Sequence, residues 1–135
     1  MVDRVAISID REYDNYGELR LALEIIAKSE GFTEFCSLES DIIKRYRDDT
    51  GRPVQLFKID WKVYDNTPKD LVKTNKLGKP YNSGAPATAA KKLVDYATDI
   101  IIFGKGDYNI NKMGKSLKEI LLTKKAIADS KRYKF

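Results

Sequence analysis

Side chains able to do chemistry gather at three places along the chain. Asp10-Arg11 follows a short apolar run, Arg4–Ile9. It sets a hydrogen-bond acceptor beside a guanidinium that can grip a phosphate or carboxylate through two parallel N–H bonds. Asp60-Trp61, with Tyr64 three residues on, offers a carboxylate for a ribose hydroxyl and two rings on which a base can stack. Gly104-Lys105-Gly106 has the composition of a turn whose exposed N–H groups cradle an anion beside a lysine. Each place also has a plainer reading. Arg11 can pair with Glu12 or Asp14 on the surface, Asp60 can cap the turn that follows it, Trp61 can close the sheet edge, and Gly-Lys-Gly is common in ordinary turns.

What is missing narrows the chemistry further. The chain has no histidine, which removes the usual general base, the usual zinc ligand and any Ser/His or Cys/His nucleophile pair. A hydrolase of the common kind is therefore not expected, and no catalytic residue, metal ligand or cofactor is assigned. The single cysteine, Cys36, cannot form an internal disulfide and lies in a strand-like run, so it reads as core in a reducing cytoplasm. No apolar run approaches the ~20 residues a membrane helix needs. Met1-Val2-Asp3 leads straight into the first strand, so neither a membrane span nor a secretory leader is expected. The net charge of +5 is concentrated at the end of the chain, where residues 111–135 hold seven Lys and one Arg against Glu119 and Asp129. A basic segment of this kind either contacts nucleic acid or another acidic partner, or forms a solvated helix face with a lysine-rich tail.

The elements that must position these residues alternate in type. Arg4–Ile9 reads as a strand, and Asn15 with Glu18 resembles a capping box. Leu19, Ala22, Leu23, Ile26 and Ala27 then mark one face of a helix that Gly31 stops. Thr33–Leu38 is a second strand, Glu39–Asp49 a second helix with Leu38, Ile42 and Tyr46 on one face, and Val54–Ile59 a third strand. Residues 65–84 form a turn-rich insertion. Within it a short helix is expected over 68–77, stopped by Gly78, with a loop over Pro80–Ala85. Ala90, Leu93, Val94 and Ala97 give the apolar face of a helix begun by Pro86, and Ile100–Phe103 is a strand apolar enough to be covered on both faces. Ile110, Met113, Leu117, Ile120 and Leu121 outline a final helix within a basic segment spanning 109–135, and Arg132–Phe135 an edge strand. The 135 residues read as one α/β domain without repeats or linkers, a three-layer sandwich around a mostly parallel sheet of about five strands. Val5–Ile9 and Ile100–Phe103 are expected to be its adjacent central strands.

With the elements in order, the chain resembles the SLOG superfamily of Rossmann-like domains, in its YspA-like branch, related to the lonely-guy phosphoribohydrolases and the DNA-processing protein DprA. R-V-A-I-S-I-D-R-E-Y-D-N-Y-G-E-L-R-L-A-L is similar to a family opening of strand, T-G-S-R, D-Y-D and helix. Phe57-Lys58-Ile59-Asp60-Trp61-Lys62-Val63-Tyr64 resembles F-x-A-D-W-x-x-Y, and Lys91–Ala97 with Asp99 and the following strand resembles K-x-M-I-E-Y-A-D-x-L-I-A-F. The departures are specific. Only Arg11 of T-G-S-R is kept. The second loop, G-G-A-R-G-A-D in the family, is Ser37-Leu38-Glu39-Ser40-Asp41 here, and its side chains at Leu38–Ser40 are expected to obstruct an anion. The family's Arg-Asn before the fourth helix falls on Ala89-Ala90 or Thr88-Ala89, and the terminal G-G-x-G-T becomes Gly104-Lys105-Gly106-Asp107-Tyr108-Asn109.

The resemblance implies a nucleotide or nucleotide-derived ligand bound without turnover beyond the carboxyl ends of the strands, in a pocket of Asp10, Arg11, Asp60, Trp61, Tyr64, Thr88, Gly104 and Lys105. The P-G-G-x-G-T-x-x-E signature of the phosphoribohydrolases is absent, so glycosidic hydrolysis is not expected. The alternative is a diverged scaffold acting by protein–protein contact. Small members of the family occur in phages and mobile elements, which would make it an accessory of host–virus conflict. A third reading is nucleic-acid binding through the basic C-terminal segment.

Overall fold

The computed structural model describes residues 2–122. Strand β1 (Arg4–Ile9) is apolar at Val5, Ala6, Ile7 and Ile9, and Val5–Ser8 are buried on both faces of the sheet. Asn15 opens helix α1 (Tyr16–Ala27), its Oδ1 accepting the Glu18 N–H at 3.2 Å. The return bond of a capping box is replaced, because the Glu18 carboxylate accepts from the Tyr13 hydroxyl at 2.9 Å instead. Strand β2 (Glu34–Leu38), helix α2 (Asp41–Thr50) and strand β3 (Val54–Phe57) follow. Helix α2 turns Ile43 and Tyr46 fully inward and leaves Ile42 half-buried, so its inner face is one residue round from the expected one.

The expected helix over 68–77 is a single tight turn, Lys69–Leu71, followed by strands β4 (Val72–Thr74) and β5 (Pro80–Asn82), which pair antiparallel. The segment lacks a third apolar residue at helical spacing, and it carries a hairpin turn instead. Asn75 Oδ1 accepts the N–H groups of Leu77 and Lys79, while Gly78 adopts φ +76°, a region that L side chains disfavour. Of the loop expected at Pro80–Ala85, Pro80–Asn82 is strand and only Ser83-Gly84 is a turn.

Helix α3 (Ala85–Tyr96), strand β6 (Asp99–Phe103) and helix α4 (Tyr108–Met113) complete the order expected from the pattern. The long final helix does not form. Helix α4 ends at Gly114, a tight turn covers Gly114–Ser116, and Lys118–Glu119 becomes β7 beside β6, with the Ile120 N–H donating to the Ile100 carbonyl at 2.8 Å. Ile120 and Leu122 pack on the core while Leu121 is 79% exposed, the in-out-in alternation of an extended chain. The expected strand at Arg132–Phe135 lies outside the described residues.

The five-stranded sheet runs β3-β2-β1-β6-β7 with every pair parallel, so Val5–Ile9 and Ile100–Phe103 are adjacent central strands as expected. Alternate strand residues face opposite layers. Val5, Ile7, Phe35, Ile101 and Phe103 pack beneath α1 and α2 with Leu19, Leu23, Ile43 and Tyr46. Ala6, Cys36 and Ile100 pack beneath α3 and α4 with Ala90, Leu93, Val94 and Ile110. The result is a Rossmann-like three-layer sandwich.

Candidate functional site

Chain order reverses between β1 and β6, because β2 and β3 lie to one side of β1 and β7 lies beyond β6. In such sheets the crevice at that reversal, beyond the carboxyl ends, is where ligands bind. Here the protein's own carboxylate closes it. Asp10 leaves the end of β1 and accepts the Lys105 N–H with Oδ2 at 2.8 Å and the Glu12 N–H with Oδ1 at 2.9 Å. The approach depends on Gly104, at φ +62°, since a Cβ there would stand 2.4 Å from Asp10 Oδ2. The Lys105 N–H bond, with help from the amides of Glu12 and Tyr13 and the Lys105 charge, holds the Asp10 carboxyl below the usual range. Ser8 ties down the rest of the turn. Its hydroxyl accepts the Asp107 N–H at 2.8 Å and donates to Asn111 Oδ1 at 2.5 Å, while Asn111 Nδ2 donates to the Lys105 carbonyl at 2.9 Å. Of the amides that could cradle an anion here, those of Lys105 and Asp107 already hold side chains of this chain, and that of Gly106 donates to the Phe103 carbonyl at 3.0 Å.

The open space lies one strand over. A cleft of about 850 Å³ sits beyond the ends of β1 and β2, walled by the starts of α1 and α2 and reached by Ile59, Pro86 and Asp107. Ile9, Leu38, Ile42, Ile59 and Ile110 give it an apolar lining, and Tyr13 and Tyr16 stand on the α1 side. Ser37, Leu38, Glu39, Ser40 and Asp41 line the cleft rather than filling it, so the glycine-free second loop forms a wall instead of the expected obstruction. Ser40 precedes α2 without capping it through its side chain.

The cations of the cleft differ in how they are held. Lys44 pairs with Glu39 at 2.8 Å, and Arg45 lies 3.8 Å over the Tyr16 ring and 3.6 Å from Asp49. Arg11 is exposed and has no hydrogen-bond or ion-pair partner among the described residues. Asp14 and Asp41 share the lining, so its charge is mixed. Tyr13, Tyr16 and Glu39 are pushed away from neutrality. Burial and then the Glu18 bond raise the Tyr13 phenol, burial and then the Asp49 bond raise Tyr16, and the Lys44 bond lowers Glu39. Cys36 lies buried below, its thiol pushed up to about 12 chiefly by desolvation. Among the described residues no cluster of three or more Cys, Asp or Glu is placed to hold a metal ion, and no helix is long and apolar enough to cross a membrane.

The structure divides the expected pocket. Asp10 and Arg11 line the cleft, and with Lys105 they also line a shallower recess of about 540 Å³ beside it. Gly104 sits under the Asp10 carboxylate. Asp60 caps the turn after β3, accepting the Lys62 N–H at 3.1 Å and the Tyr64 hydroxyl at 2.6 Å. Trp61 meets the Tyr81 ring edge-on at 6.0 Å, and Thr88 bonds the Gly84 carbonyl at 3.1 Å inside α3. None of Gly104, Asp60, Trp61, Tyr64 and Thr88 is among the residues lining the cleft. Tyr13, Tyr16, Ile42, Lys44 and Arg45 also line the cleft, and no sequence motif marks them as site residues. Their signal is positional, since Tyr13 and Tyr16 lie just before and at the start of α1, and Ile42, Lys44 and Arg45 in the first half of α2, each helix following a parallel strand. No protein-family model, curated protein or solved structure matches the chain.

Proposed function

We propose that the chain binds a nucleotide or nucleotide-derived small molecule, without turning it over, in the cleft beyond the carboxyl ends of β1 and β2. The observation that carries this reading is the cleft itself. Its volume of about 850 Å³ falls within the ~300–1,000 Å³ of small-molecule sites, and it combines an apolar lining with a few polar groups as such sites do. The isoleucines with Tyr13 and Tyr16 suit a flat ring. Arg11, without a hydrogen-bond or ion-pair partner among the described residues, suits the phosphate, which it can hold through two N–H bonds. Binding is favoured over turnover because a general acid or base works best with a pKa near the working pH, and the shifted groups of this cleft move away from it. The resemblance to SLOG domains supports the same end of the sheet, displaced by one strand.

The test is calorimetric titration of the protein with a panel of nucleoside mono- and diphosphates and dinucleotides. Arg11→Ala is expected to weaken binding about ten- to a hundredfold, the loss of a charge-assisted bond. Its melting temperature should barely change, because an exposed, unpaired arginine contributes little to stability. No heat for any member of the panel with the unmodified protein overturns the proposal. The closure of the crevice by Asp10 favours one other reading, a diverged scaffold acting by protein–protein contact, and that reading predicts the heatless result.

A further inference from the structure

The excursion between β3 and α3 has a composition that the cleft does not use. Lys58, Lys62, Lys69, Lys73, Lys76 and Lys79 fall within it, and none has an ion-pair partner among the described residues. Asp60, Asp65 and Asp70 oppose them, and Asp60 is already held by Tyr64 and its own turn. Aromatic rings are interleaved with the cations. Trp61 is 44% and Tyr64 48% exposed, Lys62 Nζ stands 5.0 Å from the Tyr64 ring, and Trp61 packs edge-on against Tyr81. Lys73 and Tyr81 are directly opposed across β4 and β5, which puts both on one face of the hairpin. This face is fastened down: the Asn82 N–H donates to the Trp61 carbonyl at 2.9 Å, and the Ser83 N–H and hydroxyl both donate to the Leu71 carbonyl.

We propose that the β4–β5 hairpin, with Trp61 and Tyr64 beside it, is a binding surface for single-stranded nucleic acid. Uncommitted lysines suit any polyanion. Exposed rings set among them suit a polyanion that carries planar faces of its own, and an unpaired strand offers one base for every phosphate. A duplex keeps its bases stacked inside, and an acidic peptide gives Trp61 nothing flat to meet. The surface is independent of the nucleotide reading of the cleft and of the lysines beyond residue 122.

Trp61 is the only tryptophan in the chain, so its fluorescence reports on this surface alone. Oligothymidylate and oligouridylate longer than the ~4–16 nucleotides of a single-strand site are expected to quench it, and quenching by either supports the proposal. Log affinity should fall linearly with log salt, by about 0.7 for each phosphate neutralised. With the same oligonucleotides end-labelled for anisotropy, Trp61→Ala is expected to bind about tenfold or more weakly, the loss of one stacked base. The triple variant Lys73→Ala, Lys76→Ala, Lys79→Ala changes only exposed side chains, and it should lower the salt slope by about 2. Equal affinity for a duplex of the same length overturns the proposal. So does quenching by polyglutamate, which would make the partner an acidic protein. Wild-type binding by both folded variants does the same, as it moves the contact to the C-terminal lysines. An excess of mononucleotide should leave strand binding unchanged; displacement would assign the strand to the cleft and overturn the hairpin as its surface.

Discussion

Asp10 occupies the position where a Rossmann-like crevice would receive an anion, and Gly104 makes that occupancy possible. The carboxylate lies 2.8 Å from the Lys105 N–H, against a glycine whose Cβ would intrude to 2.4 Å. Gly104→Ala should therefore cost about 1–3 kcal/mol from two sources, the left-handed backbone and the clash with Asp10. Only the second depends on the carboxylate. Asp10→Ala combined with Gly104→Ala should then cost less than the two single changes added together, read as denaturant midpoints. Additivity within about 0.5 kcal/mol would show that the close approach carries no energy.

Between elements, α1 is joined to α2 by a hydrogen bond and to the turn after α2 by an ion pair of a different kind from those on the surface. Glu24 is only 6% exposed, accepts the Tyr46 hydroxyl at 2.8 Å, and accepts from Arg52 Nε and Nη2 at 3.0 and 2.9 Å. The Arg52 bonds hold the Glu24 carboxyl below its ordinary range, outweighing a burial that would raise it. Arg52→Ala should cost about 1–3 kcal/mol, because a buried acceptor loses its two charged donors and keeps only the Tyr46 hydroxyl. Lys91→Ala breaks a pair 2.9 Å long but 70% exposed at Lys91, and should cost no more than about 0.5 kcal/mol. The pH dependence follows from the sign of the shift. A carboxyl with a depressed folded pKa contributes stability that is present above its unfolded value, about 4.3, and is lost as pH falls through the folded one. The gap in melting temperature between wild type and Arg52→Ala should thus open as pH rises from about 3 to 6. A gap that is constant with pH would mean that Arg52 acts by packing alone.

For the molecule as a whole, the two apolar layers meet at β1 and β6, and the hairpin stands apart from both. Val5, Ala6, Ile7, Ile100 and Ile101 are buried with helices on either side, whereas among the described residues β4 and β5 pair only with each other, over three residues each. A two-stranded hairpin is marginal by itself, and opening free energies span from near zero to the global value within one protein. Native-state hydrogen exchange should find β1 and β6 amides exchanging only through global unfolding, with a strong denaturant dependence. The β4–β5 amides should exchange by local opening that low denaturant does not change. Equal protection in both places would mean that the hairpin belongs to the central cooperative unit.

The elements legible in the sequence are those whose signals are local. Asn15 caps α1 through an N–H three residues away, Ala90, Leu93 and Val94 lie within two turns of each other, and Ile100–Phe103 is apolar without interruption. Such patterns depend on neighbours along the chain, so α1, α3, β1 and β6 could be placed without coordinates. Leu117 and Ile120 fit a helix as well as an extended chain, and the bond from Ile120 to Ile100 decides between them. Lys69–Asn82 likewise becomes a hairpin because its two strands find each other, which no window within either strand contains. The candidate site shows the same division. That Asp10, Arg11 and Lys105 stand beyond the carboxyl ends follows from strand order and was legible. Asp10 and Lys105 meet across 95 residues of chain, and that bond shuts the crevice and leaves the neighbouring cleft open. Only the folded chain decides it, because the carboxylate finds its amide partners where β1 and β6 lie side by side.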